Sequence, residues 1–219
     1  GGNTACSIGY DHINNFDFTK AETTFDGILR EDPCSRDALW GKLLARFGIV
    51  FLRGYGEAVS KPTFCFSKED IGTARFTDQK EYKKLMELSR NDADSREIYQ
   101  KKAKEIDNQL SDIKGDLAKK CDYDVFICVK IGTAVDDNAP HTNQRTEDYE
   151  IAREIYNDLT AKGLKVFCSE ISRRGQIEYD KEIWSAMLRS RKMLVIGTRR
   201  DYLMSCWVRS EWKRWIYMI

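Results

Sequence analysis

The stretch Ser169-Glu-Ile-Ser-Arg-Arg-Gly-Gln-Ile-Glu178-Tyr-Asp180-Lys-Glu182 gathers carboxylates, cations and an aromatic ring into fourteen positions of one loop-to-helix segment. Acids in a first helical turn are common for a plain reason, since they offset the helix dipole. The question is therefore which chemistry the rest of the chain allows beside them. Only two histidines exist, His12 and His141, so metal ligation by paired Cys and His is not expected, and no Ser-His-Asp set is plausible. A nucleophile elbow of the form Gly-x-Ser-x-Gly is absent. Lys130-Ile-Gly-Thr133 offers one glycine where a dinucleotide oxidoreductase needs a Gly-rich turn. Gly197-Thr198 stands where a phosphorylated receiver domain needs an aspartate. A carboxylate-centred site remains, and it suits cleavage of a glycosidic bond through a cation-like sugar transition state, without metal.

Such a site needs elements to present it. Tyr123-Asp-Val-Phe-Ile-Cys-Val-Lys130 is a short, nearly continuous apolar run, the pattern of a strand buried on both faces. From about Glu147 to Ala161, Ala152, Ile155, Tyr156 and Leu159 recur at helical spacing, with Gly163 as the cap. Leu164 to Cys168 reads as a second strand, then a helix faces inward with Ile183, Ala186 and Met187. Met193 to Thr198 reads as a third strand, and a Trp-rich helix starts at Cys206. Alternating strands and helices predict a parallel sheet covered on both faces. Ligands of such sheets bind beyond the carboxyl ends of the strands, where the strand order reverses. Residues 129–133, 168–177 and 198–205 occupy that edge.

The first half reads differently. The first structured piece is expected from about Asn15 to Leu52, as two amphipathic helices joined at Glu31-Asp32-Pro33. Phe18, Ala21, Phe25 and Ile28 line one helix; Ala38, Leu39, Leu43, Leu44 and Phe47 line the other. The hairpin resembles one tetratricopeptide-type unit, with no second copy near a period of 34. Gly54 to Thr77 reads as an irregular connection. From Asp78 to Lys120 the pattern is helical, and Tyr99, Ala103, Ile106, Leu110, Ile113 and Leu117 form a seam. That seam predicts a long helix lying on the hairpin, with self-association as the alternative use. The expected organisation is 1–77 hairpin and loop, 78–121 charged linker helices, and 122–219 the α/β domain.

A net charge of +1 gives no electrostatic case for nucleic acid or an acidic membrane, and no apolar run is long enough to span a bilayer. The seven cysteines are scattered, with no Cys-x-x-Cys pair. They read as reduced thiols of a cytoplasmic protein.

At this point the residues resemble a known family. Asp124-Val-Phe-Ile127 is similar to the first box of TIR (Toll/interleukin-1 receptor) domains. Arg145-Thr-Glu-Asp148 with Ala152 and Ile155-Tyr156 resembles their first helix, and Gly163-Leu-Lys-Val-Phe167 their second strand. Cys206-Trp207-Val with Glu211-Trp212 resembles the later Trp-containing box. The likeness covers essentially the whole chain, including the hairpin and the charged helix, as in a bacterial group of TIR proteins. It implies a flavodoxin-like fold and NAD glycohydrolase chemistry, with NAD as substrate and no cofactor. TIR domains continue past the Trp-containing helix, so the resemblance implies a domain cut short of its last strands.

The family's catalytic glutamate lies near the start of the helix after strand two. One alignment sets it at Glu178, and another, keyed on an aromatic-acid pair, sets Asp180 there behind Tyr179. Glu178 is the preferred assignment, because a side chain one methylene shorter misses a sugar it must touch. Softer roles follow from the same resemblance. Lys130 would meet the pyrophosphate, or be a solvated loop lysine. Phe167 and Trp207 would stack on a base, or pack the core. Ser169 and Arg174 would position the nucleotide. Expected partners are other copies of the chain through TIR surfaces, and a protein docking on the hairpin. The alternatives to an NAD-cleaving enzyme of bacterial antiphage defence are a non-catalytic TIR scaffold and a nucleoside deoxyribosyltransferase-like enzyme.

Overall fold

The computed structural model describes residues 2–52, 61–63, 75–117, 119, 121–133, 144–169 and 179–218. The chain divides into two compact units, one built from Gly1–Leu52 and Ser60–Lys114, the other mainly from Gly115–Tyr217.

The first unit opens with helix α1 (Gly2–Asn14), followed by α2 (Phe18–Glu31) and α3 (Arg36–Arg46). Helix α1 lies upstream of the expected start at Asn15. Its sequence carries Gly, Asn, Thr and Ser, all weak helix formers, so packing must supply what propensity does not. The packing centres on Phe25 of α2. An added Cβ on Gly9 of α1 would lie 2.5 Å from that ring, and one on Gly41 of α3 would lie 2.2 Å from it. The ring thus fits between two helix backbones that come close only because both positions lack a side chain. Tyr10 adds an edge-on contact to Phe25, with centroids 5.2 Å apart. Helix α3 starts cleanly, with Ser35 accepting from the Ala38 N–H.

Strands β1 (Val50–Leu52) and β2 (Lys61–Thr63) pair antiparallel, Phe51 opposite Pro62, with β1 at the end of the expected helical hairpin and β2 inside the region expected to be irregular. Helices α4 (Lys80–Leu88) and α5 (Ala93–Leu117) complete the unit. Ala103, Ile106 and Leu110 of the α5 seam are buried, and Tyr99 sits against Trp40 of α3 at 5.1 Å between ring centroids. Asp107 ties α5 to the start of α4, accepting from the N–H of Phe76 at 2.8 Å and from the Thr77 hydroxyl at 2.5 Å. Among the described residues one carboxylate lies inside this unit: Glu81, 5% exposed, takes a two-pronged hydrogen bond from Arg46 at 2.9 and 3.0 Å.

The second unit is mixed α/β. Strands β3 (Tyr123–Val129), β4 (Val166–Cys168) and β5 (Ser190–Ile196) form a parallel sheet in the order β4-β3-β5. The register sets Val125, Phe126 and Ile127 beside Val166, Phe167 and Cys168, and Phe126 beside Met193. Alternation along β3 divides its side chains between two covered faces. Ile127 and Val129 pack with Ala152, Ile155 and Leu159 of α6 (Glu147–Ala161). On the opposite face Phe126 stacks on Phe167 at 5.4 Å, while the Cys128 thiol donates to the Val208 carbonyl in α9 (Cys206–Met218) at 3.6 Å. Helix α7 (Tyr179–Leu188) buries Ile183, Ala186 and Met187, the inward residues the sequence implies. A single turn, α8 (Arg200–Leu203), precedes α9. Gly163, at φ +82°, ends α6 in the left-handed region.

Candidate functional site

Parallel strands β3 and β5 are neighbours, while their chain connection runs through β4 on the far side of β3. The strand order therefore reverses between β3 and β5, and a crevice at their carboxyl ends is where this architecture places ligands. Three segments build that edge among the described residues. After β3 the chain stays extended: Gly132 bridges to Arg145, the Thr133 N–H donates to the Gln144 carbonyl at 3.2 Å, and the Thr146 N–H donates to the Ile131 carbonyl at 3.0 Å. The second segment is the N-terminus of α6. Thr146 caps it by accepting from the Tyr149 N–H at 3.0 Å, and its own hydroxyl donates to the Lys130 carbonyl. The third is Thr198, two residues past the end of β5.

Asp148 joins the second and third segments. It is fully buried in the first turn of α6, and one of its oxygens accepts from both the N–H (3.1 Å) and the hydroxyl (2.5 Å) of Thr198. Its other oxygen has no hydrogen-bond partner among the described residues. A buried carboxylate at a helix N-terminus is favoured by the helix dipole, and here it also fastens the end of β5 to the start of α6. Phosphate groups often occupy such helix starts, but here the Asp148 side chain fills the position. The sequence motif Arg145-Thr-Glu-Asp148 contained the residue, and Thr198 marked the missing phosphoacceptor position. What the sequence lacked was the fifty-residue contact between them.

The expected site residues fall out unevenly. Lys130 follows β3 at the carboxyl edge and is half-buried, and Ser169 follows β4 at the same edge and is buried. Phe167 lies within β4, 1% exposed, between Phe126 and an edge-on Tyr123 at 5.3 Å. Its ring is therefore packed against two neighbouring rings of β3. Trp207 is partly buried in the first turn of α9. Asp180 belongs to the first turn of α7, though its side chain lies outside what the structure describes; Glu178 and Arg174 lie outside the described residues altogether. Among the described residues no group of Cys, His, Asp and Glu is placed to hold a metal ion, and no helix is long and apolar enough to cross a membrane. Cys6, Cys34, Cys121, Cys128 and Cys168 are free thiols.

A second polar cluster lies on the face of the sheet that α9 covers. Glu211 of α9 is buried, and burial first of all pushes its carboxyl up to about 7, against a hydrogen bond from Cys128 and the charge of Arg214. The Cys128 thiol is pushed up in turn, by burial and then by Glu211. The guanidinium of Arg214, with no exposed surface, lies 3.6 Å from the ring centre of Trp184. Sequence reading registered Glu211 only as part of a box, because its acidity depends on which strand passes beneath it.

Compared with known proteins, the chain matches no family model, no curated protein and no solved structure.

Proposed function

We propose that the second unit is a flavodoxin-like TIR-type domain that cleaves the bond between nicotinamide and ribose in NAD, releasing nicotinamide and a linear or cyclic ADP-ribose. The observation that carries this reading is the parallel order β4-β3-β5, which is how the flavodoxin-like order 2-1-3 begins. The four TIR-like boxes fall on the matching elements: Asp124 to Ile127 in β3, Arg145 to Tyr156 at the head of α6, Gly163 to Phe167 running into β4, and Cys206 to Trp212 opening α9.

In this reading Glu178, immediately before the first residue of α7, supplies the carboxylate. The positive end of a helix keeps such a group ionised, and an ionised carboxylate stabilises the ribose cation that forms as nicotinamide departs. Water or an internal nucleophile of the nucleotide then completes the reaction. Lys130, Ser169, Arg174 and Trp207 would hold the nucleotide, and copies of the chain would assemble through TIR surfaces. A role in bacterial antiphage signalling in the cytoplasm follows from the same resemblance.

Nicotinamide release from NAD, followed chromatographically, tests this directly. Release that falls at least about a hundredfold in Glu178→Ala while persisting in Asp180→Ala supports the assignment. The reverse pattern moves the catalytic acid to Asp180. No release from the intact protein, even under conditions that promote assembly, removes the enzymatic reading and leaves a docking module. Turnover of nucleosides in preference to NAD would instead indicate base exchange.

A further inference from the structure

The first unit contains a cleft of about 450 Å³ that the sheet-edge chemistry does not use. That volume lies in the range of small-molecule sites. Helices α1, α3 and α5 and strand β1 all contribute to its lining. Aromatic rings line it from every side: Tyr10, Trp40, Phe51 and Tyr99. Two are held in fixed orientation. The Tyr10 hydroxyl donates to the Asp37 carbonyl at 3.0 Å. Trp40 is braced edge-on by Phe76 at 5.2 Å and tilted against Tyr99 at 5.1 Å.

The charges around these rings are unevenly placed. Asp37 lines the cleft and has no ion-pair partner among the described residues, since its neighbour Arg36 is engaged with Asp92 at 2.7 Å. Burial first, and the negative charge of Asp37 second, push the phenols of both Tyr10 and Tyr99 up, so both stay neutral. Tyr10, Trp40 and Tyr99 thus bring π-electron density to the lining, and Asp37 adds a carboxylate. Lys102, the cation of the lining, sits elsewhere, with its ammonium 5.4 Å from the centre of Phe51.

We propose that this cleft binds a small organic cation, a substituted ammonium or guanidinium, with its charge among Tyr10, Trp40 and Tyr99 beside Asp37. A hydrated inorganic ion gains little from ring faces, whereas an alkylated cation is cheaply desolvated and attracted by all three. The cleft exceeds the volume of the charged group alone, so the rest of the ligand lies along Leu44 and Ile49, which are apolar and buried. The proposal is independent of the NAD reading and survives its failure.

Calorimetric titration of the full chain with choline, its uncharged isostere 3,3-dimethylbutanol, and agmatine tests it. Choline or agmatine should saturate below about 20 mM, and choline should bind at least about tenfold tighter than the isostere. Asp37→Asn and Tyr99→Leu should each weaken cation binding about tenfold, while Asp37→Glu retains most of it. Lys102→Met should tighten it severalfold by removing a like charge. Lys102 is exposed, so that variant tests the idea even if Tyr99→Leu melts early. Equal binding of the isostere, weaker binding in Lys102→Met, or no saturation by either cation overturns the proposal.

Discussion

Among the described residues each unit encloses one glutamate, and the two are treated in opposite ways. Glu81 in the helical unit faces a two-pronged Arg46, with Lys42 a further 3.5 Å away. Burial is the largest single influence and opposes its ionisation, but the hydrogen bonds and charge of Arg46, a backbone N–H and the charge of Lys42 together outweigh it, and its carboxyl lies below the ordinary range. Glu211 in the α/β unit is dominated by burial, and its carboxyl rises to about 7. The nearby cation is partly spent on an indole ring. An acid inside a protein is therefore not one kind of object. Geometry of the partner decides whether it is stored as a charge or as a neutral group.

The comparison breaks first at Arg46. Removing that guanidinium leaves Glu81 buried with only Lys42 nearby, and truncating one partner of such a pair costs on the order of 3 kcal/mol. Arg46→Ala should lower the melting transition of the helical unit by that amount at pH 7, while Arg46→Ala with Glu81→Gln recovers much of it. Denaturant melts followed by circular dichroism decide the matter; a single variant as stable as the parent would show the pair to be ornamental.

The next effect is a difference in sign with pH. Glu211 has a raised folded pKa, so the folded state holds a proton that the unfolded chain releases above about 4.5. Its contribution to stability is full below that value and is lost as pH rises through about 7, a change of roughly 3 kcal/mol for a carboxyl raised from 4.5. Glu81 has a lowered folded pKa, so its contribution is present above the unfolded value and lost as pH falls further. The α/β unit should therefore weaken between about pH 4.5 and 7, the interval between the unfolded and folded titrations of Glu211, while the helical unit does not. Glu211→Gln should flatten that slope. A slope unchanged in the variant would assign it to another group.

The smallest effect belongs to Asp148, the third buried acid, held by neutral donors instead of a cation. Thr198→Val removes the hydroxyl donor and keeps the N–H. It should cost about 1 kcal/mol, the usual net value of one hydrogen bond, and less than Arg46→Ala.

Much of the second unit was legible in the sequence. The 147–161 helix, the inward residues of α7 and the cap at Gly163 follow from local periodicity and backbone preference, which tertiary packing did not override. The third strand begins at Ser190, three residues before the apolar run, because Arg191 and Lys192 are exposed and look like loop. Helix α1 was illegible for a related reason: its residues are poor helix formers and it is held by a ring from another helix. Strand β2 carries Lys61 and Pro62, which read as a connection until Phe51 is found opposite. The candidate site was half visible. Lys130 and Ser169 could be set at the sheet edge from strand ends alone, whereas Asp148 needed the meeting of two segments fifty positions apart.

Phe25, pressed between Gly9 and Gly41, sets the distance between three helices by the thickness of one ring. Any side chain at either glycine would act on all three axes at once, so these positions and residue 25 cannot vary independently. A methyl at Gly41 becomes tolerable only alongside a thinner residue at 25, and the opening helix is as much a part of that core as the hairpin it rests on.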